Sequence, residues 1–151
     1  MDLIGAHPDM FITTEHVAAE IVDSYPDQQA RYRVARDAGH LVEQRVDDPA
    51  EVELFVRLGR RQRLGAGERS AIAVAINRNQ RLAVDDNRAI RRAVREARLT
   101  GNPIQIVRTQ DIIVQLIRHG ILTLATADVI RTDWTHNHRF RLKISSFADL
   151  L

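Results

Sequence analysis

An α/β fold of three layers, with helices on both faces of a parallel sheet, follows from three observations. Short apolar runs recur along the chain as DMFIT, HLVEQRV, RLAVD and PIQIVR. Each is followed by a segment of helical periodicity, and parallel neighbours require such crossover connections. No internal repeat, low-complexity tract or linker interrupts the alternation. One domain over residues 1–151 is therefore expected, and a chain of 151 residues removes roughly 70% of its unfolded surface from water on folding.

DMFIT reads as a brief strand, after which Thr13 or Thr14 can cap a helix through TEHVAAEIVDS, with Val17 and Ile21 on one face. Pro26 redirects the chain. Asp27 can cap DQQARYRVARDA, and Gly39 stops that helix where a left-handed residue is needed. HLVEQRV is the next strand. Asp48 followed by Pro49 starts the helix PAEVELFVRLGRRQ. LGAGE is a glycine-bearing break, and ERSAIAVAINRNQ resumes helical spacing through Ile72, Ala75 and Ile76. RLAVD is a strand, NRAIRRAVREARLTG a helix closed by Gly101, and PIQIVR a strand. Thr109 caps TQDIIVQLIRHG and Thr123 caps ATADVIRTDWTHN. The basic alternating stretch HRFRLKIS reads as a half-exposed strand with Phe140, Leu142 and Ile144 inward.

Composition narrows the chemistry. Hydrophobic residues make up 44% and charged residues 28%, an ordinary globular balance that excludes disordered and membrane classes. No run approaches the ~18 apolar residues of a membrane span, so no membrane partner and a cytoplasmic location are expected. With no cysteine, disulfides, thiolate zinc sites and cysteine nucleophiles are excluded, and any metal must be held by oxygen or nitrogen. The formal net charge is +2 and Lys143 is the sole lysine. That arginine bias is weak evidence for phosphate recognition, because codon usage produces the same skew.

In open parallel sheets, ligands sit beyond the carboxyl ends of the strands, and the acids fall at that edge. Glu20 lies in the helix after DMFIT, Glu68 opens the helix after LGAG, and Asp85 with Asp86 ends RLAVDD. Each has a bland alternative: Glu68 complements a helix dipole, Asp86 caps the next helix, and Glu20 is a solvated charge. Their joint occurrence at one edge tips the balance, since clustered carboxylates repel one another unless a divalent cation neutralises them.

The order TTEHVAAEI, LGAGERSAIAVA, RLAVDDNRAIRRA, then an apolar strand and a helix opening TQDII, resembles the PIN-domain nucleases, in particular their toxin branch. The likeness runs from about Phe11 to the C-terminus. Its most specific part is GxGExxAIxxA followed about a dozen residues later by a strand-ending DD. What the resemblance implies is a Mg²⁺- or Mn²⁺-dependent ribonuclease, the toxin of a toxin–antitoxin pair and a homodimer, with RNA as substrate and a cognate antitoxin as partner. On the same likeness Glu20, Glu68 and Asp85 are the catalytic metal ligands, with Asp86 as a substitute or support. Magnesium suits such a set, because it takes oxygen ligands and retains water. It can then orient and deprotonate water for attack on a phosphodiester.

The family pattern also opens with an apolar strand ending in aspartate. This chain is expected to lack that first central strand, and Asp2, with no apolar strand before it, receives no ligand role. Adjacent strands lie ~4.8 Å apart and an absent member leaves backbone groups unpaired. DMFIT and RLAVD are therefore expected to pair directly, or another segment such as HRFRLKIS, or a second chain, fills the slot.

Arg88, Arg91, Arg92, Arg95 and Arg98 follow helical spacing and form a candidate stripe for an RNA backbone, with Arg88, Arg91, Arg92 and Arg95 nearest the acids. A solvated face tempered by Glu96 is an equal reading. Arg60, Arg61 and Arg63 extend the same surface. Either arginine cluster is also open to an antitoxin tail. EHVAAE is not the zinc-protease HExxH, so His16 is a surface group or a neighbour of the site. His136, His138 and Asp133 lack a fourth ligand, and Trp134 reads as packing. LGAG matches no phosphate-binding loop, so its glycines are expected to allow tight backbone geometry before Glu68. The competing functional reading is a non-catalytic binding or dimerisation module on the same scaffold.

Overall fold

The structure, a computed structural model, describes residues 3–21, 26–60 and 64–151. The far end of the first expected helix, the last residues of the helix opened by Pro49, and Asp2, Arg61 and Arg63 lie outside these residues. The chain forms two compact units, Met1–Ile106 and Val107–Leu151. The class is mixed α/β, as expected.

The first unit opens with one helical turn, α1 (Leu3–Ala6), and strand β1 (Phe11–Thr14). Helix α2 (Glu15–Glu20) is capped by Thr14, whose hydroxyl accepts from the Val17 N–H at 3.3 Å. Helix α3 (Pro26–Asp37) ends at Gly39, which adopts φ +76°, a conformation that costs other residues a clash at Cβ. The chain returns as β2 (Leu41–Gln44), which pairs with β1 in parallel from Phe11↔Leu41 to Thr14↔Gln44. Glu15 fastens the end of this pair by accepting from the Val46 N–H at 3.0 and 3.2 Å.

Helix α4 (Pro49–Gly59) starts on Asp48 with Pro49 in its first turn. Helix α5 (Ala66–Asn77) is the centre of the unit. All five residues from Ile72 to Ile76 are buried, so this helix is enclosed on every side rather than on one stripe. It packs on α2, α4, β1, the short strand β3 (Leu82–Ala83) and helix α6 (Asn87–Thr100). Ala89, Ala93 and Ala97 form a small-residue row on α6 that enters the same core as Leu54, Leu58, Ile72 and Ile76. Gly101, at φ +73°, closes α6.

Two buried carboxylates lock this packing. Glu96, 2% exposed, lies 3.0 Å from the Arg92 guanidinium one turn earlier and accepts from Arg57 of α4 at 3.0 and 3.2 Å. Glu51, 1% exposed, accepts from Arg78 at 2.5 and 2.9 Å, while Arg78 also donates to Gln44 and to the Arg45 carbonyl.

Strand β4 (Ile106–Val107) pairs with β3 where the first unit ends and the second begins. In the second unit, α7 (Thr109–Arg118), α8 (Leu124–Asn137) and a final 3-10 turn (Phe147–Leu150) pack together. Asp128 anchors the turn, accepting from the Phe147 N–H at 2.9 Å and from the Ser146 hydroxyl at 2.7 Å. Trp134 meets Phe140 edge to face at 5.5 Å, the packing role expected of it.

Four expectations are corrected. The N-cap of α7 is Arg108, with Thr109 already helical, because Asp111 reaches back to accept from the Arg108 N–H at 2.8 Å. Helix α5 begins at Ala66, before Glu68, because Glu20 and Glu68 accept from the Gly67 and Gly65 N–H groups of its first turn. Among the described residues β1 pairs only with β2 and β3 only with β4, so DMFIT and RLAVD do not pair directly. HRFRLKIS forms no strand, although Phe140, Leu142 and Ile144 are half-buried and Arg139, Arg141 and Lys143 exposed. Alternation buries one side of an extended segment, but a ladder also needs a neighbouring edge to bond.

Candidate metal centre

The first turn of α5 gathers two of the expected acids. Gly65, Ala66 and Gly67 expose N–H groups that have no partner inside the helix. Glu20, at the end of α2, places Oε1 2.8 Å from the Gly67 nitrogen and accepts its proton. Glu68, three residues after the Gly65 cap, folds back so that Oε2 accepts from the Gly65 N–H at 3.1 Å. These bonds explain why the helix starts ahead of Glu68: one donor is satisfied from another element and one by half of a capping box.

Gly67 is buried and has no room for a side chain. A Cβ there would fall 2.7 Å from Glu20 Oε2 and 2.9 Å from Oε1, and one at Gly65 would fall 3.3 Å from Oε1. The glycines of LGAG therefore make a close approach for a carboxylate, which is the tight geometry the sequence called for.

Two residues that sequence reasoning left out of the site brace this turn. The Ser70 hydroxyl donates to the Gly67 carbonyl at 2.8 Å and is 2.6 Å from the Thr14 hydroxyl, both side chains being buried. Thr14 thus joins the carboxyl end of β1 to the turn that holds Glu20. A threonine ending a strand and a serine two residues after an acid are too common to have signalled this.

Asp86 caps α6. Its Oδ1 accepts from the N–H groups of Arg88 and Ala89 at 2.6 and 3.2 Å, and the Arg88 guanidinium lies 3.1 Å from Oδ2. The Arg88 side chain first, then those backbone donors, hold the Asp86 carboxyl below the usual aspartate range. Arg88 is held above the usual arginine value, chiefly by Asp86, and the Glu68 carboxylate acts on it in the same direction. Glu68 and the Asp86–Arg88 pair therefore lie within electrostatic reach. Asp85, half-buried, sits directly before this cap at the end of the β3 segment.

Among the described residues no three His, Asp or Glu side chains are close enough to hold one metal ion together. The structure brings Glu20 and Glu68 to one helix turn, but it does not close all four acids into a single chelate. Magnesium commonly takes one or two carboxylates and keeps water for the rest, which makes the two acids on this turn the candidate ligands. Glu20 Oε2 and Glu68 Oε1 make no hydrogen bond or ion pair among the described residues.

His16 stacks on Phe55 with ring centroids 4.6 Å apart, and the Arg69 guanidinium lies 4.6 Å from the same ring. His138 is 3.4 Å from Asp133, an exposed helix-end contact. The arginine stripe is split. Arg88, Arg91 and Arg95 are exposed, whereas Arg92 is 7% exposed and paired with Glu96. Arg92 does not share the outward stripe: its position relative to Ala89, Ala93 and Ala97 turns it inward, against Glu96.

Among the described residues no helix is long and apolar enough to cross a membrane. The sequence model of the family described as PIN domain matches residues 1–151. Comparison with curated proteins and with solved structures yields no match.

Proposed function

Because the chain belongs to the PIN-domain family, whose members are generally nucleases that use divalent metal ions, we propose that it is a Mg²⁺- or Mn²⁺-dependent ribonuclease and the toxin of a toxin–antitoxin pair. The observation that carries this reading is the meeting of Glu20 and Glu68 on one helix turn, each with one oxygen uncommitted among the described residues.

Glu20 and Glu68 would hold the ion, with Asp85 as the third acid. A bound dication supplies neutralisation of charge on the scissile phosphate and a water of lowered pKa. The remaining work falls to the chain. The Gly67 N–H fixes the Glu20 carboxylate, and the Thr14–Ser70 contact fixes Gly67. The exposed Arg88 guanidinium binds a phosphate oxygen, and Asp86 orients it. With four donors from Arg88 and Ala89 already on its carboxylate, Asp86 is a positioning residue.

Calorimetric titration with Mn²⁺ tests the reading. Wild type binds, Glu68→Ala and Glu20→Gln bind at least about tenfold more weakly, and EDTA abolishes hydrolysis of single-stranded RNA. Absence of Mn²⁺ binding in wild type would return both acids to helix capping and leave a non-catalytic scaffold. Induced expression tests the toxin assignment: wild type arrests growth, and Glu68→Gln does not.

A further inference from the structure

The outward face of α6 carries a groove of about 490 Å³ lined by Ile90, Arg91, Val94, Arg95, Arg98 and Leu99. Leu99 is 69% exposed. Helical spacing sets Ile90 four residues from Val94, and Arg91 four from Arg95, so aliphatic and cationic side chains interleave along about 14 Å of helix.

The charge on this face is unbalanced. Arg57, Arg78, Arg88 and Arg92 in the same unit each meet a carboxylate. Arg91, Arg95 and Arg98 make no ion pair among the described residues, and like charges one turn apart repel. An exposed leucine and unneutralised guanidiniums on one groove are both costs, and a single kind of partner relieves both. We propose that this face docks an acidic amphipathic helix of another protein, its aliphatic stripe seated on Ile90, Val94 and Leu99 and its carboxylates on the three arginines.

The alternatives fit less well. A second copy related by two-fold symmetry would set the three arginines against themselves, because such an interface is self-complementary. Single-stranded RNA is held by aromatic stacking platforms beside positive charge, and this groove has no aromatic residue. Helix-in-groove docking uses aliphatic anchors one turn apart, which is the pattern present.

The test uses the whole protein and a fluorescent peptide of about 14 residues, matched to the α6 length. The peptide carries leucines at i, i+4 and i+7 and glutamates between them. A lysine-for-glutamate version and a single-stranded RNA serve as comparisons, all read by fluorescence anisotropy. The acidic peptide is expected to bind wild type. Leu99→Asp and Arg91→Glu/Arg95→Glu each weaken it at least about tenfold, and the charge-reversed protein prefers the lysine peptide. These positions are on the surface, and circular dichroism checks that the variants fold. Glu68→Ala leaves peptide binding unchanged, which separates this surface from the metal centre. No binding to wild type, or binding indifferent to these substitutions, overturns the proposal. RNA binding lost in Arg91→Glu/Arg95→Glu reassigns the face to nucleic acid, and a dimer dissociated by Leu99→Asp reassigns it to a second copy.

Discussion

The Glu20 carboxylate rests on Gly67, 2.8 Å from its nitrogen, at a point where any Cβ would stand within 2.9 Å of both carboxylate oxygens. Glycine here is a requirement of the acid rather than of the helix. Gly67→Ala should gain up to about 1 kcal/mol of helix propensity and lose the charged hydrogen bond, so stability changes little. The exposed end of Glu20 simply swings away. Mn²⁺ affinity and RNA hydrolysis should fall as far as in Glu20→Gln while the melting temperature stays within a few degrees. Calorimetry and thermal unfolding on one sample check both halves.

Glu96 behaves oppositely. Removing it leaves Arg92 at 7% exposure without its carboxylate, while Arg57 keeps only Glu53, at 3.4 Å. Glu96→Ala should cost about 3–5 kcal/mol, the usual penalty for breaking a buried pair from one side. Urea denaturation measures it. Arg92→Ala should likewise lower stability, and with the fold retained at low temperature it should leave RNA affinity intact. A loss of RNA binding without loss of stability would restore Arg92 to the nucleic-acid surface.

Asp86 makes α6 sensitive to acid. Its folded carboxyl titrates below the ordinary aspartate value, so its contribution is present above that value and disappears as pH falls through the lowered one. Asp86→Ala should destabilise by about 1 kcal/mol at neutral pH, and wild type and variant should converge in strong acid. Denaturation midpoints across an acid series decide it.

Tyr32 reports on the alkaline side. Burial first, then its hydrogen bond to Glu43 at 2.8 Å, push its phenol up to about 12. The folded state therefore keeps a proton that the unfolded chain gives up near 10. Stability contributed by Tyr32 is complete below that pH and is lost as pH rises toward 12. Ultraviolet titration should show Tyr32 ionising late in wild type and earlier in Glu43→Gln.

Much of the fold was legible because its signals are local. Gly39 and Gly101 ended helices where a left-handed residue was needed, Asp48 with Pro49 started one, and Thr123 capped another. Strand length was not legible. RLAVD and PIQIVR read as strands of five and six residues, yet only Leu82–Ala83 and Ile106–Val107 form ladder, since pairing depends on where a neighbour's edge runs. HRFRLKIS shows the same point more sharply, with the burial pattern of a strand and none of its bonding.

Read along the chain alone, Glu68 falls at a helix start, Asp85 and Asp86 fall between a strand and a helix, and the glycines before Glu68 call for tight backbone geometry. Periodicity and turn chemistry act over a few residues, so they can be read along the chain. Only the tertiary structure decided that Glu20 crosses to the first turn of α5, that Thr14 and Ser70 brace that turn, and that Arg92 faces Glu96 while Arg91 and Arg95 face outward. Those outcomes depend on which side of a helix meets the core and on contacts between residues up to 56 positions apart. Pairwise distance in space is not encoded in spacing along the chain.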